Sequence, residues 1–203
     1  MHQSYSTILT DPNCLCQHYL HIVYQELKKE NPSSVHARVL SESYGEILYA
    51  SVHKLLTFVV LSEQDIFADL GSGAGKVAAQ VFLSSPVREA IGIEIRPEFH
   101  KQAILASERI YRELACFYEG DRKLTYLLGS FFECSFSNAT VVFLNSTCYT
   151  QTMLDALGDL IEAQSSIRAV YSLRPLNTLQ RLSIKKAIRI ECSWDSALCY
   201  FYE

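Results

Sequence analysis

A chain of 203 residues, 49% of them hydrophobic, with a net charge of −4, suits one α/β domain with a full core. No run approaches the roughly 20 apolar residues of a membrane span, and the opening Met-His-Gln-Ser-Tyr-Ser lacks the basic and apolar blocks of a secretory signal. The seven cysteines are scattered, with Cys14 and Cys16 the close pair, so neither a disulfide framework nor a zinc site is expected, and a reducing compartment, cytoplasm or nucleus, is.

Residues 14–31 carry apolar positions at helical spacing and end in a basic turn before Asn31-Pro32, which predicts an amphipathic helix. A second helical pattern spans about 46–61, from Glu46 through Val52, Leu55, Leu56 and Val59. Both precede the first core strand, so residues 1–62 are expected to form a helical lid on the ligand face of a core at 63–203, the two making one structural unit. The core then alternates in βαβ fashion. Strand 66–70 leads to a helix near 74–84, and strand 90–95 to a helix that starts at Pro97 and runs to about 118. Strands 124–128 and 140–144 follow, then a helix near 151–163 and strand 167–173. Residues 184–193 and 196–203 predict an antiparallel hairpin turning at Trp194-Asp195.

Between Ala163 and Ile190 the bases Arg168, Arg174, Arg181, Lys185, Lys186 and Arg189 stand without an acid. Such a face suits an acidic partner or a nucleic-acid backbone. More often such a cluster is a solvated strand edge, where lysine discourages edge pairing.

The chemistry concentrates at the end of the first strand, Ile66-Phe67-Ala68-Asp69-Leu70-Gly71-Ser72-Gly73-Ala74-Gly75-Lys76. A strand, a glycine turn and a helix start present backbone N–H groups and a positive dipole end to a ligand. The dinucleotide fingerprint would need its third glycine at Lys76. Instead a carboxylate, Asp69, stands two residues ahead of Gly71, the first of three alternating glycines with Gly73 and Gly75, where it would repel a pyrophosphate. A second strand ends in Glu94, an acid suited to the two hydroxyls of a ribose. This pattern resembles motif I of the seven-stranded S-adenosylmethionine methyltransferases, a Rossmann-like α/β fold with a mostly parallel sheet and a C-terminal antiparallel hairpin.

Ligands of such sheets sit beyond the carboxyl ends of the strands, which here carry the glycine turn, Glu94, Gly129-Ser130-Phe131 and Asn145. Ser130 and Phe131 offer a short polar group and a ring to an adenine. Many DNA and glutamine methyltransferases place an N/D-P-P-Y motif after the fourth strand. Asn145-Ser146-Thr147-Cys148 stands there instead and disfavours that chemistry, although Asn145 also suits a helix cap.

The order Tyr44-Gly45-Glu46, Asp69 to Gly75, Gly92-Ile93-Glu94, Val142 to Asn145, and Ser193-Trp194 with Tyr200 resembles the disruptor-of-telomeric-silencing histone-lysine methyltransferases, which lack a SET domain. The resemblance covers roughly residues 40–203. It implies transfer of a methyl group from S-adenosylmethionine to a lysine amine of a protein, a histone or nucleosome among the substrates, leaving S-adenosylhomocysteine. It places Tyr44 and Glu46 in a loop closing over the cofactor, Asp69, Gly71, Gly73 and Gly75 at its methionine end, Glu94 at its ribose, and Ser130 and Phe131 at its adenine. It puts Asn145 at the methyl-transfer site, with Trp194 and Tyr200 walling a lysine channel. Ser130 replaces the family's usual aspartate, the 194–200 segment is one residue shorter, and long basic extensions are absent from the sequence. A bacterial source would add delivery into a host cell to the expected locations. The same fold also serves small-molecule methyltransferases and non-catalytic binding modules.

Overall fold

The computed structural model describes residues 12–30, 45–114 and 121–203. Helix α1 (Pro12–Glu30) ends on Lys28 and Lys29, cations at the negative end of its dipole. It buries Leu20, Val23, Tyr24 and Leu27, an i, i+3, i+4, i+7 stripe. The stripe lies against two core helices, α3 (Lys76–Ser84) and α4 (Pro97–Leu114). At the rim, Tyr19 donates to Glu113 at 3.0 Å and Glu26 meets Arg109 at 2.5 Å. The described part of the expected lid therefore rests on the helical layer, and Tyr24 is its link to the glycine turn, through Lys76.

Helix α2 (Tyr49–Leu56) is shorter than the 46–61 pattern predicts. Residues 45–48 are drawn out of it into an extended strap along the C-terminal hairpin. Ile47 bridges Cys192, Leu48 N donates to Glu191 O at 3.1 Å, and Ser193 N donates to Glu46 O at 2.7 Å. Sheet pairing satisfies the backbone groups that a first helical turn would leave open.

The core strands are β1 (Ile66–Leu70), β2 (Glu89–Glu94), β3 (Lys123–Leu128), β4 (Val141–Leu144), β5 (Ala169–Ser172), β6 (Ile184–Glu191) and β7 (Ser196–Tyr202). They form one sheet in the order β3-β2-β1-β4-β5-β7-β6. The first five are parallel, and β7 inserts antiparallel between β5 and β6. Every residue of β1 and β4 is buried, as expected of strands covered on both faces. Their pleat sorts the core. Phe67 and Phe143 join the cluster under α1 to α4, while Ala68, Leu70, Val142 and Leu144 join the one under α5 (Gln151–Glu162).

At the amino ends of these strands Asp65 closes the base of the sheet. Its carboxylate accepts from Thr140 Oγ1 at 2.7 Å, from Ser62 N at 2.8 Å and from Arg168 at 3.0 Å. Burial works against ionisation there, but Arg168, Thr140 and Ser62 outweigh it and hold the carboxyl well below the usual range. Arg181, though exposed, likewise folds back onto the backbone, donating to Ile167 O at 2.8 Å and Gln164 O at 2.9 Å, and Arg174 donates to Tyr149 O. Half of the basic stretch is thus fold anchorage, and the expectation of an acidic partner narrows to Lys185, Lys186 and Arg189, all exposed on the edge strand β6. Among the described residues no helix is long and apolar enough to cross a membrane.

Candidate functional site

Leaving β1, Gly71 N and Ser72 N both donate to Ile93 O at 2.9 Å, which folds the turn against β2. Gly71, Gly73 and Gly75 adopt φ of 85°, 54° and 82°, the left-handed region that a side chain disfavours. Two tyrosines pin the turn. Tyr149 donates to Leu70 O at 3.0 Å, and a Cβ on Gly71 would lie 2.2 Å from its hydroxyl. Tyr126 donates to Gly75 O at 2.7 Å, and a Cβ on Gly75 would lie 2.4 Å from its ring. Neither tyrosine was singled out from the sequence. The glycine spacing signals that something approaches closely, but not what.

Asp69, one residue short of the end of β1, is 2% exposed. Burial pushes its carboxyl up to about 8, and the charge of Glu94 adds to the effect. Among the described residues no hydrogen-bond donor meets it. Glu94, the last residue of β2, accepts from Gly73 N at 2.7 Å through one oxygen and from Arg96 N at 2.8 Å through the other. A carboxylate has about four lone-pair sites, so each oxygen retains one. Glu46, on the strap, holds Lys76 Nζ at 2.5 Å.

These groups line two adjoining chambers beyond the carboxyl ends of the strands. The larger, of about 240 Å³, is bounded by Glu94, Arg96, Phe99, Ser130, Phe131 and Tyr149 among others. The smaller, of about 40 Å³, holds Glu46, Asp69, Gly73 and Lys76. Gly45, Gly71 and Asn145 belong to both walls. Asn145 Nδ2 donates to Gly45 O at 2.8 Å, so strap and strand end meet in a bar at the junction of the chambers.

The remaining expected residues fall around this bar. Phe131 stacks obliquely against Phe132 at 4.9 Å and Tyr149 at 5.6 Å between ring centres. The Ser130 hydroxyl accepts from Phe132 N at 3.2 Å. Trp194 is 45% exposed and lies on Gly45, where a Cβ would sit 2.0 Å from the indole. Tyr200 lines neither chamber. Pairing of β7 with β5 sets it opposite Ser172, packed with the cluster under α5. It is nevertheless close by sequence of contacts, because Ser172 Oγ meets Ser146 Oγ at 2.9 Å, next to Asn145. Tyr44 lies outside the described residues.

The Asn145 loop has its own support, which the sequence reading missed. The buried Ser146 and Ser172 hydroxyls share the Arg174 backbone, with Ser146 Oγ accepting from Arg174 N at 2.9 Å and Ser172 Oγ donating to Arg174 O at 2.7 Å. Thr150 then caps α5, accepting from Met153 N at 3.2 Å.

The architecture and the glycine turn define the seven-stranded methyltransferase fold. An RNA methyltransferase from Salinibacter ruber, crystallised with S-adenosyl-L-homocysteine, superposes with a TM-score of 0.54 at 22% identity, covering 74% of this chain and 88% of that one. A putative RNA methyltransferase from Pyrococcus horikoshii gives 0.52 at 15% identity, over 79% and 86%. The family is narrower than the fold. Residues 19–190 match the family described as histone methylation protein DOT1, and the chain belongs to it. An H3 lysine-79 specific histone-lysine N-methyltransferase of Drosophila melanogaster is 30% identical over 152 residues, 68% of this chain and 8% of that protein. A protein-lysine N-methyltransferase of Saccharolobus islandicus is 30% identical over 92 residues, 45% of this chain and 52% of that one. The chain thus spans under a tenth of the first relative and about half of the second.

Proposed function

We propose that the chain is an S-adenosylmethionine-dependent protein-lysine N-methyltransferase. The observation that carries the reading is Asp69, a buried carboxyl that meets no donor among the described residues, beside the glycine turn, in a chain of the DOT1 family. A buried acid in that state calls for a cationic partner, and the ammonium of the cofactor's amino-acid end is one. Glu94 retains lone pairs for ribose hydroxyls, and the Phe131 face with the Ser130 hydroxyl suits an adenine. The residues present therefore fit the cofactor, which when bound supplies an electrophilic methyl group. Tyr44 and Glu46 belong to the covering segment, and the lid role of residues 1–62 is part of this proposal.

The chain's own contribution is to deliver a neutral amine. Lysine has a reference pKa of about 10.4, so near pH 7.4 about one in a thousand is neutral, a gap of roughly 4 kcal/mol. Apolar walls lower that gap by disfavouring the ammonium. We assign the walls to Trp194, which lies on Gly45 beside Asn145, and to Tyr200, which stands opposite Ser172 on β7, and orientation of the amine to Asn145. No general base is required; positioning of the amine carries most of the rate.

The activities of the Drosophila and Saccharolobus relatives support a protein substrate, with histone or nucleosome the first to test and the nucleus the corresponding compartment. The test is transfer of tritium from methyl-labelled S-adenosylmethionine to nucleosomes, free core histones and whole-cell lysate in parallel. Gly73→Arg, which forces a long side chain onto a φ of 54°, is the inactive control. Label on a protein lysine that vanishes in the control is expected. Label appearing only in small metabolites would overturn the protein-lysine reading.

A further inference from the structure

Asn145 follows the last residue of β4, and a single 3-10 turn, Ser146–Cys148, leads from it through Tyr149 to α5. Arg174, two residues beyond the end of β5, reaches both halves of this loop. Its backbone N–H donates to Ser146 Oγ at 2.9 Å. Its guanidinium donates to Tyr149 O and, at 3.3 Å, to Gln151 Oε1. The Ser172 hydroxyl donates to Arg174 O at 2.7 Å and meets Ser146 Oγ at 2.9 Å, so two fully buried hydroxyls close a ring of contacts around the Arg174 backbone. Tyr149 passes the constraint on, with its ring against Phe131 and its hydroxyl on Leu70 O. Arg174 itself lines neither chamber.

We propose that Arg174 is a positioning residue for methyl transfer, fixing the 145–151 loop at both ends and so setting the Asn145 amide without meeting cofactor or acceptor. It rests on the assignment of amine orientation to Asn145. The hydroxyl pair holds the Asn145 end of the loop, and the guanidinium holds the Tyr149 end. Arginine suits the second task, because its rigid fork serves Tyr149 and Gln151 at once. Where alignment carries the rate, displacing a support by about 1 Å costs about 100-fold. Arg174 therefore does more than anchor the fold, and it differs in this from Arg181. That residue also holds carbonyls, those of Ile167 and Gln164, but at the far end of α5.

Arg174→Met, Arg174→Lys and Arg181→Met test this in the 203-residue chain. Transfer of tritium from saturating methyl-labelled S-adenosylmethionine to the acceptor that the wild type labels gives kcat. Arg174→Met is expected to lower it by about 10- to 100-fold, and to weaken S-adenosylhomocysteine in calorimetry by less than about tenfold. Arg174→Lys keeps a donor for Tyr149 O and should restore most of the turnover. Trp194 emission is a readout independent of activity, because Asn145 holds Gly45 and the indole lies on Gly45. It should shift to the red in Arg174→Met. Arg181→Met should lower the melting temperature while kcat and emission stay as in the wild type. Unchanged kcat or unchanged emission in Arg174→Met would overturn the assignment. Equal loss of kcat in Arg181→Met would do the same, since any lost anchor would then suffice. Failure of the wild type to label any acceptor would overturn the lysine reading and with it the part of Arg174 in transfer; the emission shift separates that failure from a failure of the clamp.

Discussion

Burial, with the charge of Glu94 beside it, leaves the Asp69 carboxyl titrating at about 8, so the ligand-free protein keeps a proton that an unfolded chain would release near pH 4. The stability Asp69 contributes is full below the ordinary carboxylate pKa and declines as pH rises to about 8. A bound ammonium reverses the preference, because it favours the ionised form. Binding of S-adenosylhomocysteine should therefore tighten as pH rises toward 8 and release close to one proton at pH 7. Titration at pH 7 in two buffers of different ionisation enthalpy reads that proton directly, and Asp69→Asn should abolish it; no buffer dependence in the wild type would sink the idea. The same variant removes the cost of keeping that carboxyl protonated at neutral pH, so it should raise the melting temperature of the ligand-free protein while weakening binding. Asn145 makes a different prediction, because its amide serves the strap as well as the reaction. Asn145→Ala leaves the Gly45 carbonyl without its 2.8 Å donor. It should weaken S-adenosylhomocysteine by about 5- to 10-fold, roughly one hydrogen bond, besides lowering turnover. A turnover loss with unchanged affinity would confine Asn145 to the reaction.

At the scale of elements, the strap, the hairpin and the Asn145 loop work as one unit. Gly45 is its narrowest point, held by Asn145 on one side and covered by Trp194 on the other. A Cβ there would lie 2.0 Å from the indole, a distance that cannot be absorbed without moving the ring or the strap. The chain has one tryptophan, so its emission reports this contact alone. Gly45→Ala should shift the emission maximum to the red as the ring swings into water and should weaken S-adenosylhomocysteine, with the melting temperature little changed because the strap lies outside both hydrophobic clusters except at Ile47. An unaltered emission spectrum would mean that the ring is not seated on the strap. The sequence showed the hairpin and its turn but not this clamp. A helical pattern over 46–61 reads local periodicity, whereas residues 45–48 answer to partners at 191–193, far along the chain. Tertiary pairing overrides local propensity in such cases.

The whole sheet was legible for the reason that its central strands are short apolar runs bounded by turn residues. Strand 66–70 coincides with β1, and the expected 90–95 differs from β2 by one residue at each end. What escaped was everything set by long-range closure. Tyr126 reaches the glycine turn across 51 residues of sequence and Tyr149 reaches Leu70 across 79. The insertion of β7 between β5 and β6 decides that Tyr200 faces the α5 cluster while Trp194 covers Gly45. Charge was the least legible property, because a run of bases says nothing about which of them the fold consumes. Arg168, Arg174 and Arg181 hold Asp65 and backbone carbonyls, and Lys186 lies over the Phe58 ring at 4.4 Å. On a chain of net charge −4, at most Lys185, Lys186 and Arg189 are placed to meet phosphates along the β6 edge. Three such contacts give a slope of log affinity against log salt of about −2.7 for duplex DNA. Anisotropy of a labelled duplex titrated with this chain should show weak binding with a slope no steeper than that, and Lys185→Glu combined with Lys186→Glu should erase it. A slope of about −5.4, that of six contacts, would bring in Arg168, Arg174 and Arg181 and draw them away from Asp65 and the backbone carbonyls they hold. It would make DNA contact a property of this core, and nucleosomes rather than free histones the natural acceptor.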